Sequence, residues 1–208
     1  MELLENIGNI LLIIILIIVL CIWHKYNQAI TYYVEPSELD NQFTHEVINI
    51  IRTSNINKKI KLKNVSQQKD ADITIRLVHR SKLLNVYGKP EFYPGTNKKI
   101  WFSFTWQEPK PHIAIDSENW LKGVEESGLS LHDYRKYVIR HEFMHALGYD
   151  HQPCNELTAV NGRCPILYQA TRGPPKGFQS GIEINEYDYT KRLPKTYLNP
   201  TLNSTLLR

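Results

Sequence analysis

The stretch that most constrains this chain is His141-Glu142-Phe143-Met144-His145-Ala146-Leu147-Gly148-Tyr149-Asp150-His151, an H-E-x-x-H-x-x-G-x-x-H pattern. On a helix, residues four apart share a face, so the imidazoles of His141 and His145 can grip one metal ion. Glu142, one residue on, falls beside such an ion, where a general base for an activated water belongs. Gly148 lets the backbone leave the helix, because glycine tolerates positive φ. That turn can carry His151 back as a third ligand. Three protein ligands leave a fourth position open, the arrangement of a catalytic zinc rather than a structural one. A histidine pair at helical spacing is often an accident or a satisfied core pair. Five specified positions in order are different, since average residue usage gives a chance match in about one in 10⁵ chains of this length.

The extended motif resembles that of the metzincin zinc metalloproteases, the matrixin-like group in particular. The resemblance covers residues 30–192 and is specific at 141–151. It implies an α+β catalytic domain with a twisted, mixed, mostly parallel sheet of about five strands, one antiparallel edge strand and about three helices. It also implies one Zn²⁺ on His141, His145 and His151, with Glu142 as general base for peptide hydrolysis. An extended protein or peptide substrate would lie along the edge strand near 99–106, where main-chain hydrogen bonds give affinity.

The family carries a tight turn with a methionine under the metal, followed in several branches by tyrosine. Here the matching stretch is Cys164-Pro165-Ile166-Leu167-Tyr168, and the only methionines are Met1 and Met144. Leu167 therefore replaces the turn methionine. Such swaps usually cost under about 1.5 kcal/mol, so metal binding is expected to survive. Tyr168 would either approach the zinc and the transition state or simply pack. Residues 169–181, rich in Gly and Pro, would wall the pocket for the substrate residue just past the cut. Asp116-Ser117-Glu118-Asn119-Trp120 resembles a stretch in which some acids bind structural Ca²⁺. Only fragments of that pattern are present, and a capped turn is the competing reading. The resemblance leaves a second function open: a weak or inactive zinc-bound peptide-recognition module. The absent methionine favours it, and the intact Glu142 opposes it. A vestigial site on a structural membrane protein is a third reading.

At 208 residues, the chain suits one domain with appendages. Its +4 formal charge is mild, and no dense Lys/Arg run with interleaved aromatics suggests nucleic acid. Cys154 and Cys164 lie just after the histidine motif. Paired, they would stabilise the fold by roughly 3 kcal/mol on the chain-entropy estimate. Two free thiols are the alternative in a reducing compartment.

Residues 1–6 form a short acidic lead, and 7–23 is apolar apart from Gly8 and Asn9. This is read as a single-pass transmembrane anchor in a lipid bilayer rather than a cleaved signal, because acids precede the run and Trp23 follows as an interfacial aromatic. Lys25 after the span favours a cytoplasmic domain, whereas a disulfide favours the opposite side. The triplets Asn64-Val65-Ser66 and Asn203-Ser204-Thr205 match the glycosylation sequon, which matters only on the lumenal side.

From residue 30 to 192 the pattern reads as one metallopeptidase-like domain. Strands are expected at 30–36, 59–65, 71–78, 99–106 and 112–116, with a loop at 80–98. A helix capped near Ser37 should run to Arg52 and face the sheet through Phe43, Val47, Ile48 and Ile51. Ser130 or Leu131 should open the helix that carries the motif, with Asp133 in its first turn. Ile182 to Arg192 reads as a final helix, and 193–208 as a polar tail. No segment the size of a prodomain, and no cysteine-switch peptide, separates the anchor from the first strand.

Overall fold

The computed structural model describes residues 12–20, 29–83, 91–93, 95–107 and 109–193. Its centre is a five-stranded sheet in the order β2-β1-β3-β7-β6. Strands β1 (Ile30–Val34), β2 (Leu62–Asn64), β3 (Ile73–Val78) and β7 (His112–Asp116) run parallel, and β6 (Phe104–Trp106) closes the edge antiparallel to β7. The expected mixed, mostly parallel sheet with one antiparallel edge strand is therefore present. Parallel strands need crossovers, and α2 (Phe43–Thr53) supplies the one between β1 and β2. Phe43, Val47, Ile50 and Ile51 form its buried stripe, with Ile48 only partly covered.

The helix with the histidine motif, α5 (Leu131–Ala146), shares with α2 the main core against one sheet face. Tyr32, Ile73, Ile75, Ile113 and Ile115 rise from the sheet to meet it. Strand alternation sends Phe104 and Trp106 to the opposite face, where they join Val78, Leu83 and Ala114 in a smaller cluster. Leu83 ends the single turn α3 (Arg80–Leu83).

Several boundaries differ from the sequence reading. Ser37 does not cap α2: its hydroxyl accepts from the Leu39 N–H instead, and the helix opens six residues later behind Gln42. The run at 99–106 is not one strand. Lys99–Ile100 is β5, paired with β4 (Glu91–Phe92), and 101–103 leaves the ladder before β6 begins. The Trp101 carbonyl there accepts from Asn119 Nδ2, and Ser103 Oγ accepts from the Asp116 N–H. Those backbone and side-chain groups serve the next helix, α4 (Ser117–Lys122), rather than a neighbouring strand.

The final helix shrinks to a 3₁₀ turn at Glu186–Tyr189, and 191–193 then runs extended along 148–150. Of the apolar 7–23 segment, residues 12–20 form a helix, α1, whose side chains are all exposed. Among the described residues no helix is long and apolar enough to cross a membrane. The rest of that segment, the second sequon and the tail from 194 lie outside the described residues.

Candidate metal centre

The scaffold of the site is written locally into α5. Ser130 caps it, with Oγ accepting from the Asp133 N–H at 3.2 Å. At the other end the Tyr149 N–H reaches the Met144 carbonyl and the Gly148 N–H reaches that of His145. This is the paired pattern of a Schellman stop, and it holds Gly148 at φ +84°, where a side chain would be strained. The chain therefore reverses three residues before His151, as the motif requires.

The three imidazoles converge. His145 Nε2 lies 3.1 Å from His141 Nε2 and 3.2 Å from His151 Nε2. His141 Nδ1 faces the Ile166 carbonyl and His145 Nδ1 the Tyr149 carbonyl, both at 2.7 Å. A carbonyl only accepts, so each Nδ1 carries the hydrogen and each Nε2 of the neutral ring presents a lone pair. Lone pairs facing one another at 3.1 Å repel unless a cation sits among them. Zn–N bonds of 2.0–2.1 Å in a tetrahedron would set the nitrogens about 3.3 Å apart, close to the spacing seen here. The donor chemistry fits a borderline divalent metal, and these three residues could hold a metal ion. Burial, reinforced by the neighbouring rings, holds His141 well below the usual imidazole range, and His151 is pushed down to about 4. The pocket thus resists protons and keeps its ligands neutral.

His151 needs help from elsewhere, because its ring is half exposed. The extended segment 191–193 provides it: Asp150 N–H bonds to the Lys191 carbonyl, Leu193 N–H to the Gly148 carbonyl, and Lys191 Nζ lies 2.8 Å from Asp150 Oδ2. The Arg192 guanidinium lies 3.8 Å over the Tyr149 ring. The disulfide Cys154–Cys164 is formed and closes the loop between His151 and the turn at Pro165.

That turn lies against the histidine cluster, its Ile166 carbonyl facing His141 Nδ1, with Leu167 fully buried. Asp188, also fully buried, grips it: Oδ2 accepts from Ile166 N–H at 3.1 Å and Oδ1 from Leu167 N–H at 2.8 Å. Oδ2 also takes the Asn185 N–H at 2.8 Å. This inward carboxylate is the reason the expected last helix stops at one 3₁₀ turn. Tyr168 does not line the cavity at the site. Its hydroxyl donates to the Gly173 carbonyl, and its own carbonyl accepts from Tyr137 Oη.

Glu142 is 5% exposed and lines a cavity of about 340 Å³ shared with the three histidines. Burial pushes its carboxyl up to about 7, and the Thr105 hydroxyl, 2.6 Å from Oε2, pulls the other way. Thr105 and Gln107 come from the sheet edge and line the same cavity, as do Gln169 and Thr171 from the Gly/Pro-rich stretch. Thr105, Gln107 and Asp188 were not visible as site residues in the sequence. Each is a common polar residue with no local pattern to mark it.

The acidic stretch at 116–120 serves a structural purpose. Asp116 caps α4 through the Asn119 N–H and takes two hydrogen bonds from Arg80, which also reaches Glu118. Among the described residues the histidine cluster is the one group of three or more His, Cys, Asp or Glu side chains that could hold a metal ion, and the 116–120 stretch forms the capped turn.

The family described as "Protein of unknown function (DUF3152)" matches residues 37–188, a span running from the approach to α2 to Asp188. The chain belongs to this family. The matched span contains the three histidines, Glu142, the disulfide and the Asp188 clamp. No curated protein matches the chain.

Proposed function

We propose that this DUF3152 member is a zinc-dependent endopeptidase. The observation that carries the reading is the meeting of three imidazole Nε2 atoms, those of His141 and His145 fixed as lone-pair donors by their Nδ1 partners, and one buried carboxyl in a single cavity. Zn²⁺ bound by His141, His145 and His151 would supply a Lewis acid that polarises a carbonyl and acidifies a water molecule. Glu142 then accepts the proton of the attacking water and returns it to the leaving amine. An extended peptide would pair with the open side of β6, whose Thr105, with Gln107 just past the strand, already borders the cavity. The nine described residues of α1 are apolar and exposed, which supports tethering to a lipid bilayer through 7–23.

The test is metal analysis of the purified protein, followed by hydrolysis of a broad peptide library with and without chelator. One zinc per chain, and cleavage that chelator abolishes and added zinc restores, are expected. Stoichiometric zinc without cleavage would reduce the protein to a metal-bound recognition module. Absence of zinc from a protein refolded in its presence would refute the whole reading.

A further inference from the structure

Thr105 stands at the one point where the sheet edge touches the proposed base. Its neighbours Phe104 and Trp106 turn to the opposite face of β6, so Thr105 points at α5 by strand alternation. Its Oγ1 lies 2.6 Å from Glu142 Oε2 and 3.1 Å from the Glu142 backbone carbonyl. Two residues on, Gln107 Nε2 donates to the His145 carbonyl. The strand is thus bonded to the helix at 142 and 145, one turn apart. A hydroxyl has a single proton, and the shorter contact claims it for the carboxylate. Among the described residues, Thr105 is the donor to this carboxylate, and no other is seen.

We infer that Thr105 is the positioning residue for Glu142: by holding Oε2, it leaves Oε1 as the oxygen that meets water. This rests on the peptidase reading above. A glutamate side chain turns about three bonds, and nothing on α5 itself fixes this one. Threonine is branched at Cβ and stiff about χ1, and it stands here on a paired strand. The orientation of the base is therefore set by the sheet rather than by the helix that carries it. The same strand is the one a peptide would join, so substrate and base share a support.

The experiment compares Thr105→Val, which keeps the shape and loses the hydroxyl, with Thr105→Ser, which keeps the hydroxyl. Thr105→Ala replaces the valine variant if that one does not fold. Two readouts are taken: kcat and KM of the zinc-loaded proteins, and crystal structures of the same variants. The valine variant is expected to bind one zinc, to lose roughly 10- to 100-fold in kcat and to keep KM within about threefold, as suits the loss of an oriented base. Serine should restore kcat to within about threefold of the parent. In the valine crystal, the Glu142 carboxylate should leave its place beside residue 105. Parent kcat in the valine variant, equal impairment in both variants, or an unmoved carboxylate overturns the inference. If the parent cleaves no peptide, the peptidase reading fails, and the crystal comparison alone decides whether Thr105 positions Glu142.

Discussion

Replacing Asp188 by Ala tests how the turn against the histidine cluster is held. The substitution leaves the N–H groups of Ile166 and Leu167, both fully buried, without an acceptor. Each stranded donor costs about 1–3 kcal/mol, so roughly 4 kcal/mol together. The third donor, Asn185 N–H, is near the surface and can turn to water. Against this stands the cost of the buried charge. Burial raises Asp188 from 3.8 to about 6. A carboxyl with a raised folded pKa binds its proton more tightly in the native state, so the parent loses stability as pH climbs from about 4 to about 6. The loss is about 3 kcal/mol, at 1.36 kcal/mol per unit. The alanine variant lacks this slope. The substitution should therefore cost about 4 kcal/mol below about pH 3, about 3 kcal/mol at pH 4.5 and only about 1 kcal/mol at pH 8. Urea unfolding of the metal-free parent and variant at the last two values measures the difference. Zinc affinity should fall about 10- to 100-fold as well, because the Ile166 carbonyl that orients His141 loses its anchor. A cost below about 0.5 kcal/mol at both pH values would refute the clamp. A cost that does not shrink with pH would refute the account of the charge.

Other perturbations have equally definite outcomes. Glu142→Gln should bind one zinc yet lose hydrolysis by at least about 10²-fold, read by metal analysis beside a peptide assay. Removing the disulfide as Cys154→Ser with Cys164→Ser should cost about 3 kcal/mol in urea unfolding, since the bridge closes a loop with a sequence separation of 10. Zinc retention should decline as pH falls below the ordinary imidazole range. The metal needs neutral rings, and the depressed values of His141, His145 and His151 mean that folded metal-free protein also loses stability as pH drops through that window. Circular dichroism and chelator competition between pH 4 and 7 follow both. Leu167→Met, a swap of similar volume in a fully buried site, should change stability by less than about 1.5 kcal/mol and leave zinc stoichiometry alone.

What could be read from the sequence divides along the distance over which a residue acts. The motif helix was legible from cap to stop because Ser130, Asp133 and Gly148 act within a few residues of themselves. The parallel strands were legible because β3 and β7 bury most of their residues and β1 alternates in burial, whereas β2 shows only the half-buried Leu62. The split of 99–106 was not, since its aromatic composition favours a strand everywhere. Only the approach of Asn119 from α4 shows why Trp101 turns away from the ladder. Likewise Ile182–Arg192 has a helical spacing of apolar residues, but one carboxylate drawn to a turn 21 residues upstream overrides it.

The same division runs through the metal centre, and it bears on what a motif can prove. The spacing names the ligands, but a ligand is useful only if its ring is turned the right way. His145 is oriented locally, by the Tyr149 carbonyl four residues on. His141 takes its orientation from Ile166, which in turn hangs on Asp188. The half-exposed His151 follows a backbone pinned by 191–193. Two of three rings thus depend on chain that arrives from 25 to 52 residues beyond His141, so a chain could carry the same eleven residues and fail to bind a metal. The convergence of the three Nε2 atoms consequently adds evidence that the spacing alone does not contain.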